Sequence, residues 1–97
     1  MKNAAIAVQV LPISEDDKEV VRIVDKAIEA IQKSGYSYVV GPFETTVEGD
    51  YEGLMELLKN LLPIAVEAGA KKVALYCRIF YSTDKMMTTD EKISKYK

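Results

Sequence analysis

Histidine is absent from the 97 residues, and cysteine occurs once, at Cys77. The first absence removes the commonest general acid–base and the commonest metal ligand together. With a single thiol, no internal disulfide can form, and a zinc or iron–sulfur site has almost no ligands to draw on. One cysteine fits a reducing compartment, so a cytoplasmic protein is the expectation. A basic surplus is missing too: 13 Lys and Arg stand against 15 Asp and Glu, a formal charge of -2. Phosphate neutralisation supplies most of the affinity of nucleic-acid binders, so this balance argues against one. Long hydrophobic runs are also missing. The apolar stretch that ends near Leu11 is too short to span a bilayer and lacks a signal-peptide cleavage pattern. No linker, repeat or low-complexity tract divides the chain. A single domain over 1–97 is expected, with a polar tail at 82–97.

What is present is a clear alternation of element types. Ala4 to Leu11 is a β-branched-rich run closed by Pro12 and reads as a strand. Ser14 followed by Glu15, Asp16 and Asp17 reads as a helix start, because a hydroxyl can accept from orphan N–H groups and acids suit the first turn. Val20, Val24, Ala27, Ile28 and Ile31 form its apolar stripe, and Gly35 supplies a left-handed stop. Tyr36 to Val40 reads as strand two, broken by Gly41-Pro42. Glu44-Thr45-Thr46-Val47-Glu48 alternates with period two and reads as strand three. Gly49-Asp50 opens a second helix with the stripe Leu54, Leu57, Leu58, Leu61, Ala65 and Ala68, capped at Gly69. Pro63 lies inside it and predicts a kink. Lys72 to Tyr81 reads as strand four. Thr89 to Lys92 starts a short terminal helix that Ile93 and Tyr96 would dock, and Met86-Met87 reads as part of a docked tail. The order β-α-β-β-α-β predicts an α+β, ferredoxin-like sandwich: a four-stranded antiparallel sheet in the order 4-1-3-2, with two helices on one face.

The alternation also assigns faces. Unpaired carboxylates do not go beneath helices, so Glu44, Thr46 and Glu48 should point to the open face. Val73, Leu75, Cys77 and Ile79 should face the core, which leaves Tyr76, Arg78 and Phe80 on the open face. Ile6, Val8 and Val10 are the bulkier set of strand one, which leaves Ala5, Ala7, Gln9 and Leu11 open. Strand two is ambiguous: either Tyr36, Tyr38 and Val40 or Ser37 and Val39 point inward. In the order 4-1-3-2, Ala5 and Ala7 lie low between a wall of Tyr76, Arg78 and Phe80 and a wall of Glu44, Thr46 and Glu48. That is a shallow groove with aromatic planes, acids, a hydroxyl, an amide and one guanidinium. Arg78 either pairs with Glu48 or Glu44 or meets a ligand, and Cys77 reads as an inert core residue.

The run Gly41-Pro42-Phe43-Glu44-Thr45-Thr46-Val47-Glu48-Gly49, followed by Asp50-Tyr51-Glu52-Gly53-Leu54-Met55, resembles the small thiamine-binding protein family. Val10-Leu11-Pro12 and the tail from Thr89 to Lys97 are similar to the same family, so the likeness covers essentially the whole chain. The chain departs from it at Ile13-Ser14-Glu15-Asp16-Asp17-Lys18, where many members carry Gly, Thr and Ser. The resemblance implies a ferredoxin-like fold, dimers that pair as tetramers, and binding of thiamine or its hydroxymethylpyrimidine moiety, without catalysis and without a required cofactor.

Taken with the groove, the candidate ligand residues are Gln9, Tyr38, Thr45, Thr46, Glu48, Tyr76 and Arg78. The expected role is a carrier or sensor with its groove near a subunit interface. The alternative is an oligomeric interaction module whose open face serves only subunit packing, as exposed aromatic residues on one sheet face often do. Catalysis finds no phosphate-binding loop or activated nucleophile. RNA recognition on this topology needs a basic, aromatic third strand, and strand three here is acidic.

Overall fold

The structure, a computed structural model, describes residues 2–83 and 89–96. Its elements are β1 (Ala4–Pro12), α1 (Asp17–Lys33), β2 (Ser37–Val40), β3 (Thr45–Gly49), α2 (Tyr51–Glu67), β4 (Val73–Tyr81) and a short α3 (Thr89–Ile93) that runs into a 3-10 turn over Ser94–Tyr96. The strands form one antiparallel sheet in the order β2-β3-β1-β4. This is the expected order read from the other edge, and the fold is ferredoxin-like. Met86-Met87 lies outside the described residues.

Helices α1 and α2 each begin where an acid can hold orphan N–H groups. Asp16, rather than Ser14, caps α1 by accepting from the Lys18 N–H at 3.0 Å; Ser14 sits one step earlier and accepts from the Asp16 N–H at 3.1 Å. Asp50 caps α2 by accepting from the Gly53 N–H at 2.7 Å. That bond, and after it the Tyr36 hydroxyl at 3.1 Å, holds the Asp50 carboxyl below its ordinary pKa. Burial, and then Asp50, pushes the Tyr36 phenol up.

The core lies between the helices and one sheet face. Ile6, Val8 and Val10 of β1 and Val47 of β3 meet Ile23, Ala27 and Ile31 of α1 and Leu54, Leu61 and Ala65 of α2. The centre of the α1 stripe is therefore Ile23-Ala27-Ile31, with Val20, Val24 and Ile28 half-buried beside it. The run Val20-Val21-Arg22-Ile23-Val24 is nearly all apolar, so spacing alone did not single out Ile23. Val73, Leu75 and Cys77 pack against the core as expected. Ile79 shares their face yet is 51% exposed.

Tyr36 explains two glycines. A Cβ at Gly49 would stand 2.5 Å from the Tyr36 ring, and one at Gly53 would stand 1.6 Å from its hydroxyl. Gly53→Ala should therefore lower the thermal midpoint, although alanine is the better helix former, because the ring must leave Asp50. In a Tyr36→Ala background the loss should shrink but persist, because the same Cβ would also stand 2.9 Å from both Asp50 carboxylate oxygens. Thermal unfolding of the four proteins checks this, and an equal loss in both backgrounds would rule out the steric account.

Candidate functional site

Strand pairing places the side chains of the uncovered face. In an antiparallel ladder, directly opposed residues share a face. Ser37, Glu48, Ala5 and Phe80 form one row across the four strands, and Val39, Thr46, Ala7 and Arg78 form the next. Gln9 opposes Tyr76 in the row after that. Five of the seven candidate residues, Gln9, Thr46, Glu48, Tyr76 and Arg78, thus stand together on the open face around Ala5 and Ala7.

Tyr38 and Thr45 do not join them. Tyr38 opposes Val47 and Val40 opposes Thr45, so both candidates point to the helix side, and Ser37 and Val39 take the open side. Pairing with β3 settles the ambiguity of strand two. Thr45 is buried and lines a cleft of about 220 Å³ between α1 and the β2–β3 hairpin, with Ile28, Ile31 and Phe43 among its walls.

Arg78 has a partner. Its guanidinium is ion-paired and hydrogen-bonded to Glu44. Arg78 lies on β4 and Glu44 just before β3, so the pair reaches across β1. Only small side chains on β1 let such a bridge lie down, and Ala7 opposes Arg78 directly. The bridge offsets the charge of Arg78 on the wall of Tyr76 and Phe80. Glu48 is 4% exposed even though it belongs to the open face, so it stands at a desolvated end of the groove. Nearby, α3 returns toward this face, with the Lys92 ammonium 5.3 Å from the Phe80 ring centroid, a cation–π distance.

A hollow of about 290 Å³ opens beside Thr46, bounded by Val39, Gly41, Pro42, Phe43 and Glu44. Val39 and Phe43 were not among the candidates. Phe43 is 81% exposed and borders both this hollow and the helix-side cleft. Its place directly after Gly41-Pro42, in a hairpin loop, was the available signal, since loop aromatics at a tip often contact ligands or partners.

Burial, and behind it the Glu44 carboxylate, pushes the Cys77 thiol up, away from a reactive thiolate. Among the described residues, no three His, Cys, Asp or Glu side chains cluster to hold a metal ion. No helix among them is long and apolar enough to cross a membrane.

The comparisons with known proteins agree with one another. Residues 6–97 match the family model described as thiamine-binding protein. A UPF0045 protein of Clostridium perfringens is 38% identical over 97 residues, covering all of both chains. Among solved structures, a domain of unknown function, DUF77, from Bacillus cereus superposes with a TM-score of 0.88 at 38% identity, covering 100% of this chain and 93% of that one. A putative thiamine biosynthesis/salvage protein from Thermotoga maritima superposes with a TM-score of 0.87 at 37% identity, covering 98% of this chain and 99% of that one. With a match over nearly the whole chain and relatives of equal length on the same fold, the chain belongs to the thiamine-binding protein family.

Proposed function

We propose that the protein binds thiamine or its hydroxymethylpyrimidine moiety, without chemical turnover, as a cytoplasmic carrier or sensor. The site is the groove on the open sheet face, near a contact between subunits of a homo-oligomer. The observation that carries the reading is the grouping of Gln9, Thr46, Glu48, Tyr76 and Arg78 around the low floor of Ala5 and Ala7. Membership of the family supports the ligand class.

The ligand's chemistry matches this face. The exocyclic amine of the pyrimidine needs acceptors, which Glu48, Thr46 and the Gln9 carbonyl supply; a hydrogen bond to a charged group contributes about 1.5–3 kcal/mol. The permanent positive charge of the thiazolium ring favours an aromatic face, and Tyr76 offers one at about 0.5–2 kcal/mol. Arg78 would repel that charge if it stood alone, but its pairing with Glu44 removes the objection. The same pairing disfavours phosphorylated forms, since a phosphate must first draw Arg78 away from Glu44. Tyr38 and Thr45, on the other side of the sheet, bear on the ligand only through the hairpin they stiffen.

Calorimetric titration with thiamine, hydroxymethylpyrimidine and thiamine diphosphate at one salt concentration tests this. Saturable micromolar binding of thiamine or hydroxymethylpyrimidine is expected, with the diphosphate weaker. No heat and no thermal shift with any of the three would overturn the reading. The face would then serve subunit packing alone, an alternative favoured by the exposure of Tyr76 and Phe80 on it.

A further inference from the structure

We propose that Lys92 is a positioning residue of the groove: its ammonium holds the Phe80 end, so a cationic two-ring ligand lies with its charge toward Tyr76 and its amine toward Glu48. This rests on the ligand reading above and adds the direction in which the ligand lies.

The groove has two ends of similar make. At one, Phe80 on β4 and Glu48 on β3 flank Ala5 in a single row. At the other, Tyr76 on β4 opposes Gln9 on β1. Each end offers an aromatic ring and an oxygen acceptor. Phe80 and Tyr76 lie on the same strand, separated by about 13 Å at the usual rise per residue. A molecule of two linked rings can therefore reach from one end toward the other, and on these features alone it can lie either way round. By charge, the Phe80 end is the better seat for a cation, because the Glu48 carboxylate adds to the pull of the ring.

Helix α3 reverses that preference. The chain leaves β4 at Tyr81 and comes back to the open face through Thr89–Ile93, which sets the Lys92 ammonium 5.3 Å from the Phe80 ring centroid. Among the described residues, no cation is seated in this way on Tyr76. A second cation brought to the Phe80 ring meets a like charge at close range, and Coulomb repulsion opposes it. A neutral aminopyrimidine meets no such repulsion and still finds the Glu48 carboxylate as an acceptor. At the other end the Tyr76 ring is exposed, and the neighbouring Arg78 is ion-paired with Glu44. The chain thus supplies its own cation to one aromatic ring and leaves the other for the ligand's.

The test is calorimetric titration of thiamine into the full chain with Lys92 or with Lys92→Glu, each alone and combined with Tyr76→Leu or Phe80→Leu. Hydroxymethylpyrimidine is the uncharged control, and circular dichroism checks that each variant is folded; all three side chains are exposed, so folded variants are expected. With Lys92 in place, Tyr76→Leu should weaken thiamine binding by about 2- to 30-fold, the worth of one cation–π contact, and Phe80→Leu should weaken it far less. With Lys92→Glu the order should invert, thiamine should bind more tightly, and hydroxymethylpyrimidine should be nearly unaffected. Saturable thiamine binding with the same dependence on Tyr76 and Phe80 in both backgrounds would overturn the role of Lys92 and leave the ligand reading standing. An equal gain for hydroxymethylpyrimidine would also overturn it, since the effect would not be one of charge. A native chain that binds no thiamine overturns the ligand reading and this one with it.

Discussion

Replacing Thr46 by valine and Glu48 by glutamine in one chain is expected to weaken thiamine binding by well over tenfold. The two residues are neighbours of the same parity on β3, opposite Ala7 and Ala5 of the groove floor. Thr46→Val keeps the shape and removes an acceptor. Glu48→Gln keeps the size and removes the charge from the desolvated end of the groove, where a charge-assisted hydrogen bond is strongest. Tenfold corresponds to about 1.4 kcal/mol, less than the loss of one hydrogen bond to a charged group, about 1.5–3 kcal/mol. The measurement is a calorimetric titration of both proteins, with thermal unfolding alongside because Glu48 is buried. Unchanged affinity in a folded double variant would remove both residues from the site and with them the open-face groove.

The largest effect on stability is expected at Leu54. Its side chain is fully buried in the first turns of α2, in the core cluster with Ile6 and Val47 of the sheet. Leu54→Ala removes apolar contacts and leaves a cavity that the flanking strands cannot close, a loss of about 2–5 kcal/mol. Small domains are stable by about 5–15 kcal/mol, so the variant should unfold at much lower denaturant concentration. Leu62→Ala on the same helix makes the comparison, since Leu62 faces outward and is exposed; it should cost well under half as much. Equal losses at the two positions, by urea titration, would show that α2 does not pack by the stripe described.

Much of the open face was legible in the sequence because side chains alternate on a strand whatever the strand pairs with. The strand of Glu44, Thr46 and Glu48 had to turn its acids away from the helices, and the apolar set Val73-Leu75-Cys77 had to turn inward. Strand two was not legible, because Tyr36-Ser37-Tyr38-Val39-Val40 has amphipathic or apolar residues at almost every position. Tyr38 was counted with the groove, yet pairing with Val47 puts it on the helix side. Thr45 entered the candidate set with its neighbour Thr46, although adjacent residues of one strand point to opposite faces. The helix boundaries came within a residue or two, but the cap of α1 moved from Ser14 to Asp16, where the side chain reaches the second helical N–H.

What the sequence by itself determined is the element order, the fold class and the parity of three strands, since each depends on local periodicity and on residues such as Gly35, Gly69, Asp50 and Pro12 that start or stop elements. Tertiary structure alone decided which acid Arg78 meets. Glu44 and Glu48 have the same parity and lie two residues to either side of Thr46, which shares the row of Arg78, so register leaves them equivalent; in the fold Glu48 is covered and the guanidinium meets Glu44. It also decided that Ile79 and Tyr81 are left exposed while Glu48 is covered. Exposure is set by what packs over a residue from distant parts of the chain, and no window of sequence contains that information.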